Sequence, residues 1–243
     1  MSKAGENNWK KIWSGKSVPG LEKAETEFDA FCILKEADGF DVAVNDRQKY
    51  FRAFYEEFNR FFEDMTSKCS VPVKSVFEVG CGSGVNLFMF KNRLKDPVLG
   101  GLDYSKNLLD NAEKIVGGGD FIHDNAENLP VVPQYDLVMS ESVFEYFPSQ
   151  EYSEKVLRRM IEKSSVATCI LGLYDAEKEQ VMMDFRRSTI PDYDERYKGL
   201  PKRFYHKEMF SNIAREYGKT ASFSYPDNPE YWNAEYQFNT III

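Results

Sequence analysis

The sequence is poor in the residues that build metal cages and disulfide frameworks. It has four cysteines, Cys32, Cys69, Cys81 and Cys169, with no CxxC pair, and only two histidines, His123 and His206. That spacing argues against a zinc site and fits the reduced thiols of a cytoplasmic protein. No apolar run approaches the roughly 20 residues that a membrane helix needs. The first residues, Met1 to Lys11, are polar and lack the apolar stretch of a secretory signal. Basic charge is in deficit: 31 Lys and Arg against 39 Asp and Glu leave a net charge of −8. A nucleic-acid surface depends on clustered cations, so this balance argues against one. Internal repeats and low-complexity segments are absent too. The expectation is a cytoplasmic protein, monomer or homodimer, with neither a membrane nor a nucleic acid as partner.

What is present is an ordinary globular composition, 42% hydrophobic and 29% charged, over 243 residues. That length suits one domain with an added cap. Residues 1–70 read as helical. In NDRQKYFRAFYEEFNRFFED, Phe51, Phe54, Tyr55, Phe58, Phe61 and Phe62 recur at helical spacing, and Asn45 with Gln48 resembles a capping box at its start. The aromatic stripe either packs on a core or forms a lid over a pocket; stripes of this spacing are mostly core. Trp9 and Trp13 stand about one helical turn apart and either anchor a flap or pack.

Five short apolar runs follow: SVFEV (75–79), VLGGL (98–102), DFI (120–122), YDLVM (135–139) and VATCILGL (166–173). Helical stretches starting near Gly84, Ser105 and Ser149 lie between them, with Ser105 and Ser149 at N-cap positions. Strands alternating with helices predict a parallel sheet covered on both faces. A further helix, KEMFSNIAREYG, precedes the strand candidates TASFSY and AEYQFNTIII, which suit an antiparallel pair at one sheet edge. The fold class is therefore α/β.

The most informative segment is VFEVGCGSGVN, residues 76–86, a glycine-rich turn after an apolar strand and before a helix. Such a turn lets backbone approach a ligand and leaves helix N-terminal N–H groups facing it. Dinucleotide binders need G-x-G-x-x-G. Here Gly80, Gly82 and Gly84 are followed by Val85, and Glu78 sits where a pyrophosphate would be repelled.

E-x-G-x-G-x-G resembles the first motif of class I S-adenosylmethionine-dependent methyltransferases. Asp103 in GGLDYS, 25 residues beyond Glu78, resembles the acidic residue that receives the ribose hydroxyls. NAENLP (125–130) resembles the adenine-holding segment, and YDLVMSESVFEYFP (135–148) the fourth strand and the helix after it. The resemblance covers roughly residues 70–175. It implies a doubly wound, mostly parallel seven-stranded sheet with an antiparallel C-terminal edge strand. In that frame residues 1–70 are a helical cap or lid, 71–243 the cofactor-binding domain, and 174–206 a specificity insertion.

The resemblance implies S-adenosylmethionine as cofactor and S-adenosylhomocysteine as product. Glu78, Gly80, Cys81, Gly82, Gly84 and Asn86 would surround the methionine part, with the Ser140 carbonyl and Glu141 as further acceptors. Asp103 and Tyr104 would meet the ribose, and Asp124, Asn125 and Ala126 the adenine. The family's usual Asp before Ala-x-x-Leu-Pro is Asn125 here, with Asp124 one residue earlier; an Asn carbonyl can also accept from the adenine amino group.

The sulfonium already activates the methyl group, so the protein mainly aligns an acceptor and excludes water. A hydroxyl acceptor also needs a base; a carboxylate or phosphate-like oxygen does not. Candidates are Glu141, Glu145, Tyr146 and His206, where Tyr146 stands at a place many family members give to His and His206 equally suits a helix cap. Neither a metal-ligand pattern nor an amino-methyltransferase Asn/Asp-Pro-Pro motif follows the fourth strand. The 174–206 stretch holds Tyr174, Arg186, Arg187, Tyr193, Arg196 and Tyr197. Either these grip a polar or anionic acceptor, or the stretch is a solvated insertion. DGFD (38–41), SVFEYFP and RFYHKEMF also resemble a bacterial subgroup associated with surface-polysaccharide or secondary-metabolite synthesis. That likeness implies a small sugar-like or phosphoryl-bearing acceptor, methylated on oxygen. The alternatives are a methyl transfer to nitrogen, on a small molecule or a protein, and a non-catalytic cofactor-binding partner protein. A dinucleotide-dependent oxidoreductase is disfavoured by Val85.

Overall fold

The computed structural model describes residues 8–39 and 46–243. Each apolar run of the central region is a strand: β1 Ser75–Val79, β2 Val98–Asp103, β3 Asp120–His123, β4 Tyr135–Glu141 and β5 Ser164–Tyr174. Two more, β6 Ala221–Ser224 and β7 Gln237–Ile242, complete a seven-stranded sheet of order β3-β2-β1-β4-β5-β7-β6. β1 to β5 are mutually parallel, and β7 runs antiparallel to both β5 and β6. The antiparallel C-terminal strand is thus present, but one position in from the edge. β6 takes the edge because a short antiparallel return leaves β7 free to pair on both sides, and its run of buried residues suits an interior place.

The strands alternate their side chains between two cores. Val76 packs on one face, with Val85, Leu87 and Phe90 from the helix α4 (Val85–Arg93) and Leu109 and Ala112 from α5 (Lys106–Val116). Phe77 and Val79 pack on the other, with Val156, Leu157 and Met160 from α6 (Gln150–Lys163) and Phe210 and Ile213 from α9 (Lys207–Glu216). Glu78 shares the face of Val76, so a carboxylate is carried into the end of the α4-side core by the strand's period of two.

The N-terminal region is helical: α1 (Asn8–Ser14), α2 (Glu27–Ala37) and α3 (Arg47–Lys68). Residues 40–45, including Asn45 of the expected capping box and Phe40 and Asp41 of DGFD, lie outside the described residues; α3 is capped by Asp46, which accepts from the Lys49 N–H at 3.0 Å. Phe58 and Phe62 meet Phe90 of α4 at ring separations of 5.2 and 5.9 Å. The stripe therefore packs on the core, while three of its members, Phe54, Phe58 and Phe61, together with Tyr50 also line the cavity at the sheet's carboxyl end. Ser149 caps α6 as expected, accepting from the Tyr152 N–H. Ser105 stands at the N-cap of α5 but spends its hydroxyl on the Trp13 carbonyl, tying α1 to the sheet.

The 174–206 stretch folds into α7 (Glu179–Thr189) and the one-turn α8 (Tyr193–Arg196). Its ends are pinned together by a bridge between Asp175 and Tyr205, with the Tyr205 N–H donating to the Tyr174 carbonyl at 2.8 Å. Among the described residues no helix is long and apolar enough to cross a membrane, and no cluster of three His, Cys, Asp or Glu side chains is placed to hold a metal.

Candidate active site

A cavity of about 680 Å³ lies beyond the carboxyl ends of β1, β2, β4 and β5, where open α/β sheets take their ligands. One region is built by the glycine turn. Glu78 is only 2% exposed. One of its oxygens accepts from the Asn86 side chain at 2.7 Å, and the other, Oε2, has no partner. Burial pushes its carboxyl well above the ordinary range, against the Asn86 hydrogen bond. A buried carboxylate oxygen without a donor is costly, and an ammonium group placed there would satisfy it. The Asn86 amide also donates to Glu141 at 2.7 Å, so one side chain at the start of α4 fixes both carboxylates. Glu141 pairs with Lys35 of α2 at 3.0 Å; burial acts to raise its carboxyl, but Lys35 and Asn86 hold it below the ordinary value.

Asp103 ends β2 with both oxygens oriented, one by the Gly82 N–H at 2.9 Å and one by the Ser105 N–H at 2.7 Å. Each oxygen keeps a lone pair for a further donor, as a pair of ribose hydroxyls requires. Burial raises this carboxyl while the two N–H groups draw it back. Cys81, Tyr104, Asn125 and Ala126 also line this region. The Asn125 side-chain oxygen accepts from Lys10 of α1 at 3.2 Å, leaving one lone pair for an adenine edge. These residues fit the cofactor implied by the motif.

Three expected residues stand behind the wall rather than on it. Gly84 does not face the cavity: at φ +86° a Cβ there would lie 2.7 Å from the Ala112 Cα, so this glycine serves the contact of α4 with α5. Ser140 is fully buried and donates its hydroxyl to the Val79 carbonyl, leaving Glu141 and Ser142 to form the surface. Asp124 turns away, accepting from the Asn125 N–H and the Asn128 side chain, so of the two residues it is Asn125 that lines the cavity.

The other region is aromatic and charged. Glu145, Tyr146, Tyr174, Arg186 and Tyr197 all reach it. Glu145 is buried, with Oε1 at 3.8 Å from Lys202 and Oε2 without a partner; burial raises its carboxyl, opposed by Lys202. Tyr146 packs against Trp9 and Trp13 at ring separations of 4.7 and 5.6 Å, and the Trp9 indole donates to the Pro201 carbonyl at 3.0 Å. The two tryptophans thus join α1 to the 174–206 stretch over the cavity. Tyr193 lies behind the wall, stacked on Tyr197 at 4.7 Å. Arg187 pairs outward with Asp194, and Arg196 is exposed. His206 is an exposed N-cap of α9 outside the cavity wall, so it is removed from the candidate bases.

Sequence reasoning missed Lys35, Asp38, Lys202 and Asn233. Asp38, at the C-cap of α2, accepts from the Ser83 N–H at 2.6 Å and its hydroxyl at 2.8 Å; burial pushes its carboxyl up to about 7, against those hydrogen bonds. A Cβ on Gly82 would fall 2.5 Å from Asp38 Oδ1, which explains the glycine by contact with the cap. No local pattern marks these residues, because each reaches the site across the tertiary structure.

A glycine turn at the end of β1 and a ribose-type acid at the end of β2, on this strand order, define a nucleotide-cofactor-binding α/β domain. Residues 76–163 match the family model described as a methyltransferase domain. A curated relative is peramine synthetase ppzA of Metarhizium rileyi, 34% identical over 113 residues. The match covers 42% of this chain but only 4% of that much longer protein. Among solved structures, magnesium protoporphyrin IX methyltransferase of Synechocystis, with bound S-adenosylhomocysteine, superposes with a TM-score of 0.60 at 13% identity, covering 86% of this chain and 90% of that one. The N-methyltransferase NodS of Bradyrhizobium japonicum gives 0.55 at 11%, covering 79% and 96%. Residues 76–163 thus match a methyltransferase domain, and the sheet and helices around them share the fold of the solved methyltransferases.

Proposed function

We propose that this protein transfers the methyl group of S-adenosylmethionine to an oxygen of a small polar molecule seated among Glu145, Tyr146, Tyr174 and Tyr197. The observation that carries the reading is the continuity of one cavity. Glu78 with its unpartnered oxygen, the oriented Asp103 and the aromatic region all line this one cavity. In this reading Glu78 takes the methionine ammonium, Asp103 the ribose, and Asn125 with Tyr104 and Ala126 the adenine. Bound there, the cofactor supplies a methyl group already activated by its sulfonium. The protein's own contribution is to align the acceptor and exclude water. Tyr146, Trp9 and Trp13 close the cavity from the α1 side. Glu145, with a free oxygen, receives the proton when the acceptor is a hydroxyl. A sugar-like or phosphoryl-bearing acceptor suits the mixed polar and aromatic wall. Transfer to nitrogen is the second reading, favoured by the same Glu145 oxygen, which would equally take an amine proton.

The test is calorimetric titration of S-adenosylhomocysteine, and separately of NAD, into the protein, with Asp103→Ala as control. The expected result is binding of S-adenosylhomocysteine that the variant loses, and no binding of NAD. A folded protein that binds neither would defeat the simple catalytic reading in favour of a degenerate or partner-dependent member of the fold, and binding of NAD instead would mean the glycine turn was misread. Screening acceptors for a mass gain of one methylene then separates oxygen from nitrogen products.

A further inference from the structure

Resting on the methyl-transfer reading, we propose that the acceptor carries an anionic group, a carboxylate or a phosphate ester, bound between Arg186 and Lys202. Arg186, on α7, is 3% exposed and faces the cavity. One terminal nitrogen donates to the Asn233 side chain at 2.9 Å and the Tyr174 hydroxyl at 3.3 Å, the guanidinium also hydrogen-bonds the Tyr193 side chain, and its Nε has no partner. Among the described residues no carboxylate lies at ion-pair distance from it. Its plane is held by the Trp232 ring, 4.7 Å away, an arrangement that suits a guanidinium kept ready for a planar or tetrahedral oxyanion.

Lys202 approaches from the other side. Its side chain is 13% exposed, and its ammonium lies 3.4 Å from the same Tyr174 hydroxyl and 4.9 Å from the centres of the Tyr146 and Tyr174 rings. Two cations therefore converge on one neutral hydroxyl. The carboxylate of Glu145, at 3.8 Å from Lys202, offsets only one of them. The region is left with an excess of positive charge in a buried place, where uncompensated charge is costly. Burial lowers Lys202 to about 8, with Arg186 adding to the effect against Glu145. An anion from the ligand would complete both sets of donors.

The aromatic wall sets the probes: phenylacetate, phenyl phosphate and the neutral phenylacetamide, titrated into protein saturated with S-adenosylhomocysteine. At least one anion is expected to bind about tenfold or more tightly than the amide, and whichever anion binds better tells carboxylate from phosphate. Arg186→Gln and, separately, Lys202→Gln are expected to reduce that preference to about twofold with S-adenosylhomocysteine affinity unchanged. Should Arg186→Gln fail to fold, the less buried Lys202→Gln carries the comparison. Equal binding of anion and amide, an undiminished preference in the variants, or no anion binding at millimolar concentration would overturn the proposal. So would loss of S-adenosylhomocysteine affinity in either variant, which would assign these cations to the cofactor. If S-adenosylhomocysteine itself does not bind the wild-type protein, the methyl-transfer reading fails. The probes titrated into bare protein then decide the anion site by the same preference.

Discussion

Replacing Asp38 by Asn removes a charge at the join between the helical cap and the glycine turn while keeping the hydrogen-bond geometry. The Asn carbonyl can accept from the Ser83 N–H and its amide can donate to the Ser83 hydroxyl, in place of the contacts at 2.6 and 2.8 Å. The variant no longer has to keep a carboxylate ionised where burial pushes its titration from 3.8 up to about 7. That is about three decades of proton affinity, at about 1.4 kcal/mol each, so roughly 4 kcal/mol for a fully enclosed group. Asp38 retains some contact with water, which reduces the figure to about 2 kcal/mol. Linkage sets the sign: the raised carboxyl favours the folded state fully below 3.8, and this advantage is lost as pH rises to about 7. Asp38→Asn lacks that loss. Urea unfolding should therefore show the variant gaining about 1–2 kcal/mol relative to wild type on going from pH 5 to pH 8. A difference between the proteins that is the same at both pH values would refute the reasoning. A variant less stable than wild type at pH 8 by about 1 kcal/mol or more would show that the charged hydrogen bonds to Ser83 outweigh the cost of burial.

Gly84→Ala should destabilise the fold by about 2–4 kcal/mol in urea unfolding, combining an L-residue at positive φ with overpacking against the backbone of α5; a loss below about 1 kcal/mol would mean that α5 moves freely. Asp103→Asn should weaken S-adenosylhomocysteine about 10- to 100-fold by calorimetry, because its amide would set a donor against the Gly82 or Ser105 N–H and lose a ribose acceptor. His206→Ala should leave that affinity within about twofold, as expected of an exposed helix cap; a larger loss would place His206 in the site after all.

Much of the scaffold was legible because its signals are local. Periodicity in SVFEV, VLGGL and YDLVM marks buried strands, and Glu78 and Asp103 are recognisable as acids at strand ends beside turns, where packing gives them no reason to be. The strand order at the C-terminus was not legible. TASFSY and AEYQFNTIII read equally well with either strand outermost, and pairing with β5 settles it through the buried row of β7. The glycine turn was legible as a turn between strand and helix, but two of its glycines owe their identity to neighbours distant in sequence: Gly82 to Asp38, and Gly84 to Ala112.

The sequence by itself determined the alternation of strands and helices, the glycine turn after β1, and the acids at the strand ends beside it. These depend on spacings of two, three and four residues along one chain. Only the tertiary structure decided which side chains from distant segments meet at the cavity. Lys35 and Asp38 arrive from the cap, Arg186 and Lys202 from the 174–206 stretch, and Asn233 from the segment before β7. Burial gives the charges among these their meaning: the same arginine on the surface would be a solvated ion, whereas Arg186 is 3% exposed with no carboxylate at ion-pair distance among the described residues.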